Sequence, residues 1–222
     1  MKPASYTELV TAIQDYTKKS SFTSTLVDYL ITEAEAEMNA RLRTRRQLTA
    51  LTPTVSSAGV VTIPNDFGGW KRFTTRDASQ AWDLRLLSAE QEYDILSAYT
   101  AASRPSALIQ KGTTAQVWPY TDGLYTFAAL YYARVPNLTS TATTNWVILN
   151  HPMAYLYGCL AAAKGFIMDD ERIAMWSSMF TRALDRIERE DALDTSASDD
   201  STLSVNTALF RTGSGYNVLS DC

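Results

Sequence analysis

Over the first 48 residues, apolar side chains recur at the three- and four-residue steps of amphipathic helices. Ser5 and Glu8 have the spacing of a capping box, and Leu9, Val10, Ile13 and Tyr16 follow at helical intervals. A polar break at residues 18–21 separates this helix from a second, predicted to run from near Ser24 to about Arg46. Its apolar stripe is Val27, Leu30, Ile31, Ala34, Met38 and Leu42. Glu33, Glu35 and Glu37 sit in its middle, and Arg41, Arg43, Arg45 and Arg46 crowd its end, where cations complement the carbonyl end of the helix dipole.

From Leu48 the period shortens. Residues 49–55 and 60–63 are β-rich runs separated by Ser56, Ser57, Ala58 and Gly59, the pattern of a hairpin, and residues 64–69 form a turn cluster. Further strands are predicted at 71–75, 81–86, 107–110, 115–118 and 124–133. One helix interrupts them, with a capping box at Ser88 and Gln91 ahead of Tyr93, Ile95, Leu96 and Tyr99. Helical spacing returns after Asn145. Pro152 suits a first turn, and Met153, Leu156, Tyr157, Leu160 and Ala161 line one side. A last helix, starting near Asp169 or Asp170, carries Ile173, Trp176, Phe180, Ala183, Leu184 and Ile187, the cleanest helical period in the chain.

The predicted class is α+β: mainly a helical bundle of about four long helices, with a small antiparallel β-domain inserted and a flexible C-terminal tail. Residues 1–48 and 145–194 form the helical body, 49–144 the insertion and 195–222 the tail. Sixteen of the 28 tail residues are Ser, Thr, Asn, Gly or Ala, too polar a segment to fold alone. Yet it carries Leu203, Val205, Leu209, Phe210, Tyr216, Val218 and Leu219, which suit a segment that orders on a partner.

Composition narrows the function classes. The chain has 222 residues, 45% apolar, with 24 acidic against 20 basic side chains and a net charge of −4. That allows a real core and gives no basic stripe of the kind a general nucleic-acid binder shows. No run approaches the roughly 20 apolar residues of a membrane span, so no membrane partner is expected. The N-terminus lacks a signal-peptide core, and synthesis in the cytoplasm without export is the expectation. Cys159, in an apolar helical run, reads as a small buried hydrophobe, and nothing asks for its pairing with Cys222.

Catalytic chemistry finds little footing. The single histidine, His151, stands beside Pro152 where a helix begins, and any Ser/His/Asp or Cys/His arrangement would have to use it. One histidine and two distant cysteines do not make a zinc site, and no phosphate loop or dinucleotide fingerprint is present. No catalytic residue, metal or cofactor is therefore expected. Asp169, Asp170 and Glu171 could serve a glycosidase as paired carboxylates, but acids there also cap a helix N-terminus, which is the favoured reading. Arg41, Arg43, Arg45 and Arg46 could contact phosphates in a DNA channel. The favoured alternative pairs them with acids of a neighbouring subunit, for which Glu33 to Glu37 offer a surface.

A resemblance then sharpens the picture. Thr62-Ile63-Pro64-Asn65-Asp66-Phe67 resembles a strand-end motif of the head-to-tail adaptor (connector) proteins of short-tailed bacteriophages. In order there follow Ser103-Arg104-Pro105, Ile109-Gln110-Lys111-Gly112, Val117-Trp118-Pro119, Leu130-Tyr131-Tyr132-Ala133-Arg134-Val135-Pro136, Asn145-Trp146, Tyr155-Leu156-Tyr157-Gly158, Asp169-Asp170-Glu171 and Trp176. The likeness spans roughly residues 5–191 and departs from the pattern at Gly68-Gly69-Trp70 and at Ala107. It implies a virion neck protein without enzymatic activity, forming a ring of about twelve subunits between the portal protein and the tail nozzle or tail tube. Double-stranded DNA would pass through the ring without sequence-specific binding. It further implies that the tail docks on the portal, with Leu209, Phe210, Arg211, Tyr216 and Leu219 as candidate contacts. Arg41, Arg43, Arg45 and Arg46 become candidate subunit or channel contacts. Two other classes stay open at this point: a tail hydrolase that cuts peptidoglycan with the acids at 169–171, and a carbohydrate-binding β-module carried on helices.

Overall fold

A computed structural model describes residues 2–18, 22–56, 58–92, 101–166 and 172–200. Helix α1 (Tyr6–Thr17) starts where the Ser5 hydroxyl accepts from the Glu8 amide, and the Glu8 carboxylate returns to the Ala4 amide at 2.7 Å. It ends at Lys18, whose φ of 53° is left-handed. Helix α2 (Ser24–Arg41) is capped by Thr23 and buries the whole predicted stripe, Val27, Leu30, Ile31, Ala34, Met38 and Leu42. It stops at Arg41, short of Arg46, because a second capping arrangement competes for the chain. The Thr44 amide donates to Gln47 Oε1 at 3.0 Å, which starts a one-turn 3-10 helix at Arg45–Gln47.

The chain then enters β1 (Leu48–Leu51), β2 (Val60–Thr62), β3 (Phe67–Arg76), β4 (Ala81–Asp83) and β5 (Arg85–Leu87). After the Ser88–Gln91 capping box come β6 (Ala107–Lys111), β7 (Thr114–Trp118) and β8 (Thr126–Ala133). They form two four-stranded sheets, ordered β1-β8-β3-β4 and β2-β7-β6-β5. Strand β8 shows the expected alternation, burying Phe127, Ala129 and Tyr131 while Ala128 and Leu130 face out. Val61, Phe73, Leu108, Val117 and Phe127 make a core separate from the helical one. The helix expected over Tyr93, Ile95, Leu96 and Tyr99 lies outside the described residues.

The expectation of a mainly helical bundle of about four long helices with a small antiparallel insertion is corrected here. The class is α+β, but the described residues hold five helices and eight strands in two full sheets. Three physical features account for the difference. Pro152 has no amide hydrogen and cannot continue α3 (Trp146–Asn150), so the apolar run breaks there and restarts as α4 (Pro152–Ala162). The 49–63 run closes as a hairpin only at its tip, through the Val55–Val61 bridge and the Ser56 amide on the Val60 carbonyl; β1 pairs with β8 and β2 with β7. Nor is the β part wholly antiparallel, because β5 pairs with β6 in parallel.

The segment read as a turn, Phe67-Gly68-Gly69, is the start of the longest strand. A Cβ at Gly68 would lie 2.9 Å from the Tyr132 carbonyl oxygen, so the missing side chain lets β3 approach β8. Two register shifts flank this point.

In the helical part, α4 packs against both α2 and α5 (Arg172–Asp200). The inner face of α5 is the predicted stripe: Trp176, Phe180, Leu184 and Ile187 are buried, Ile173 and Ala183 partly so. Gly158 is where the three helices come closest, since a Cβ there would meet Ala34 Cβ and the Phe180 ring, each at 2.9 Å.

A polar ladder joins helices to sheets. One face of α2 receives the chain returning from β8. The Val135 amide donates to Asn39 Oδ1 (2.7 Å) and the Leu138 amide to Glu35 Oε1 (2.7 Å). Below them Gln47 Nε2 donates to the Ala133 carbonyl at 3.2 Å. Glu35, 5% exposed, also accepts from the Tyr155 hydroxyl at 2.8 Å. That hydroxyl in turn accepts from Asn145 Nδ2 at 2.6 Å, and the same nitrogen donates to the Pro136 carbonyl. Asn145 Oδ1 caps α3, accepting from Val147 and Ile148. Burial pushes the Glu35 carboxyl above its ordinary value, against its two hydrogen bonds, and pushes the Tyr155 hydroxyl up as well.

Two predictions follow from this packing. The folded state holds the Glu35 proton more tightly than the unfolded chain does. Its ionisation therefore costs stability as pH rises above the ordinary carboxylate range, and nothing below it. Glu35→Gln, which keeps an acceptor oxygen, should gain stability relative to the parent between pH 4.5 and 7.5. Glu35→Leu, which strands two donors, should lose about 2–4 kcal/mol at either pH. Thermal melts at both pH values check this. Gly158→Ala gains about 1 kcal/mol in helix propensity, but overpacking costs about 1–3 kcal/mol, and the rigid Ala34 neighbour cannot swing away. Urea titration should show net destabilisation.

Candidate functional site

The arginine-rich end of α2 divides into distinct roles. Arg41 reaches across to α5, where Nε and Nη2 bind the two Glu188 oxygens at 2.8 Å each and Nη2 also meets Asp185. Hydrogen bonds donated to Glu188 and then to Asp185 hold its guanidinium pKa above the usual value. The Arg45 amide donates to Asp191 at 2.9 Å, and its guanidinium lies 3.1 Å from Asp194 and 3.7 Å from Asp191. Arg43 turns back onto the helix end and donates to the carbonyls of Asn39 and Leu42 at 2.7 Å, two acceptors that the last turn leaves open. Arg46 has no ion pair among the described residues and lines a groove beside α4 and α5.

Of the acids singled out with these arginines, Glu35 is the buried hub of the ladder, whereas Glu33 and Glu37 are exposed. The partners of Arg41 and Arg45 are instead Asp185, Glu188, Asp191 and Asp194. Sequence reasoning missed this row, although its three-residue spacing was the available signal: each acid neighbours the next one turn on, and the row winds from Arg41 round to Arg45.

The groove that Arg46 lines holds about 620 Å³. Met153, Tyr157, Met179 and Ala183 make its floor, and Lys2, Arg182 and Arg186 its basic rim. The rim was not apparent in the sequence, because with Arg46 it comes together from three separate segments. His151 closes one end, its Nε2 3.6 Å from Glu190 and its ring edge-on to Trp146. Burial lowers its pKa, with Glu190 opposing and Arg46 and Arg186 adding to the effect. It is thus a half-buried helix-junction residue. Cys159 is fully buried on α4, and burial pushes its thiol far up, away from the reactive thiolate.

The motif residues of the β part hold structure. Asp66 accepts from the Tyr131 hydroxyl at 3.1 Å, and its carbonyl accepts from the Arg134 amide at 2.6 Å, which pins the start of β3 to the end of β8. Phe67 stacks on Tyr131 with centroids 5.9 Å apart. Arg104 lies 3.6 Å over the Trp82 ring, whose indole nitrogen donates to the Pro105 carbonyl. Trp118 and Tyr120 meet edge to face. The acids at 169–171, the tail residues Leu209, Phe210, Arg211, Tyr216 and Leu219, and Cys222 lie outside the described residues. Among the described residues, no group of three or more His, Cys, Asp or Glu could hold a metal ion, and no helix is long and apolar enough to cross a membrane.

Fold and surface together define an α+β protein in which Arg41, Arg45, Arg104, Asp66 and Glu35 join elements of the same chain. A family model for SU10 adaptor protein matches residues 4–204, nearly the whole chain, and the protein belongs to that family of phage adaptors. No curated protein matches it significantly.

The Arg41 bridge generates a prediction. Arg41 is about a third exposed, so solvent screens the pair, and the Arg41–Glu188 coupling is expected at about 0.5–1 kcal/mol. A double-mutant cycle of Arg41→Met with Glu188→Gln should return that value at low salt and a smaller one at high salt.

Proposed function

We propose that this phage adaptor acts as a non-enzymatic subunit of the virion neck. About twelve copies would form a ring between the portal protein and the tail nozzle or tail tube, with a channel through which double-stranded DNA passes without sequence-specific contact. Assembly takes place in the host cytoplasm. The observation that carries this reading is the family match over residues 4–204, which takes in the helical part, both sheets and the full length of α5. A structural role also suits what the charged groups do: Arg41 and Arg45 bind acids of the same chain. Arg46, without such a partner among the described residues, is the member of the cluster assigned here to subunit or channel contact.

Helix α5 leads through Asp200 into residues 201–222. In this reading that segment docks on the portal through Leu209, Phe210, Arg211, Tyr216 and Leu219, whose apolar side chains gain a surface only on binding. Deleting residues 201–222 should leave circular dichroism and the melting temperature of the body nearly unchanged while abolishing association with the portal protein of the same phage. Light scattering after size exclusion, with and without portal, checks this, and undiminished binding by the truncated chain would overturn the docking assignment.

A further inference from the structure

The basic groove and the outer face of α2 carry complementary surfaces that the fold itself leaves open. The groove has an apolar floor of Met153, Tyr157 and Met179 beneath Arg46, Arg182 and Arg186. Arg46 and Arg182 have no ion pair among the described residues, and Arg186 has only the exposed Glu190 of its own helix. On α2, Tyr29, Glu33, Ala36, Glu37 and Ala40 share one outward side, at helical steps of three and four. Tyr29 is 68% exposed, and Glu33 and Glu37 likewise have no ion pair among the described residues. Tyr29 stands at one end of this face, ahead of two acids and two alanines. As an interface it offers an aromatic anchor, close approach at Ala36 and Ala40, and two carboxylates to meet arginines.

We infer that the occupant of the groove is a second copy of this chain, with the Tyr29–Glu33–Glu37 face of α2 seated on the groove between α4 and α5. The two surfaces share no residue, so the contact is heterologous: each copy offers a face on one side and a groove on the other, and repetition closes a ring when the rotation permits. This rests on the ring reading proposed above and names the surfaces that build it. Tyr29 would enter between Met153, Tyr157 and Met179, and the acids would meet Arg182 and Arg186 along the rim.

The test is thiol cross-linking in a Cys222→Ser background, at high protein concentration so that a weak contact is captured. Ala36→Cys and Met179→Cys chains are mixed and treated with a short bismaleimide. A cross-linked dimer is expected from the mixture and not from either chain alone. Reversing Glu33 and Glu37 to Lys on the first chain should cut its yield about tenfold, the equivalent of roughly 1.4 kcal/mol. Reversing Arg182 and Arg186 to Glu on the second should restore it. No cross-link from a chain that does associate by sedimentation would overturn the surface assignment and leave the ring reading standing, whereas no cross-link and no association would overturn both. In Met179→Cys with Cys222 retained, an intrachain disulfide on oxidation would place the chain's own tail in the groove and also overturn the proposal.

Discussion

The carboxylate of Glu35 is the group on which the joining of the two halves depends. It lies inside the helical core, where an unpaired charge would be costly, and Oε1 accepts from both the Leu138 amide and the Tyr155 hydroxyl. Tyr155 passes the constraint to Asn145, and Asn145 to the first amides of α3 and to the Pro136 carbonyl. The returning chain therefore has one position on α2 that satisfies every donor. A slip by a residue would strand the Leu138 amide in an apolar site. The network adds little net energy beyond its desolvation cost, and what it supplies is register.

Charge does similar work further along α2. Arg41 and Arg45 hold its C-terminal end and the following turn against α5 through Glu188, Asp185, Asp191 and Asp194. Arg43 meanwhile closes the helix end itself. These contacts are half exposed and individually weak. Their value lies in fixing how α5 leaves the body, because the last acids of the stripe sit only two turns before Asp200 and the start of the 201–222 segment. The direction in which the chain departs is set by arginines that precede the whole β part in sequence.

Local signals were legible in the sequence, and long-range ones were not. Ser88–Gln91 forms its capping box, Ser5 caps α1 while Glu8 reaches the Ala4 amide, and the stripes of α2 and α5 are buried as their spacing predicts. These features concern residues three or four apart, where one helical turn decides the outcome. The pairing of β1 with β8, about eighty residues away, leaves no trace in either strand, since alternation fixes a face and not a partner. Gly68-Gly69 read as a turn because glycine usually breaks a strand. Here it admits the Tyr132 carbonyl, a reason visible only once β8 lies alongside. Glu35 read as part of an acidic surface offered to a neighbouring subunit's arginines, since Glu33 and Glu37 flank it. Only its position four residues before Asn39, on the face that meets the returning chain, distinguishes it. The basic groove was invisible for the same reason, as Lys2, Arg46 and Arg182 come from three distant segments.

The role proposed above asks the protein to hold its shape between two partners, and this chain divides such a task by chemistry. Buried groups with single satisfactory geometries, the Glu35 ladder and the Gly158 crossing, fix the helical part internally. The two sheets keep a separate core, so load on them need not repack the helices. On the helical surface, Glu33 and Glu37 of α2 and Arg46 and Arg182 beside α4 stay without an ion pair among the described residues. Intramolecular partners already absorb Arg41 and Arg45, so these two cations compete less for the acids of a second copy. In the contact proposed above, turning the partner over would carry Glu33 and Glu37 away from Arg182 and Arg186 and lose those pairs. The self-neutralised arginines thus contribute to specificity by their silence: every charge spent inside the chain is one fewer that could pair copies in the wrong way.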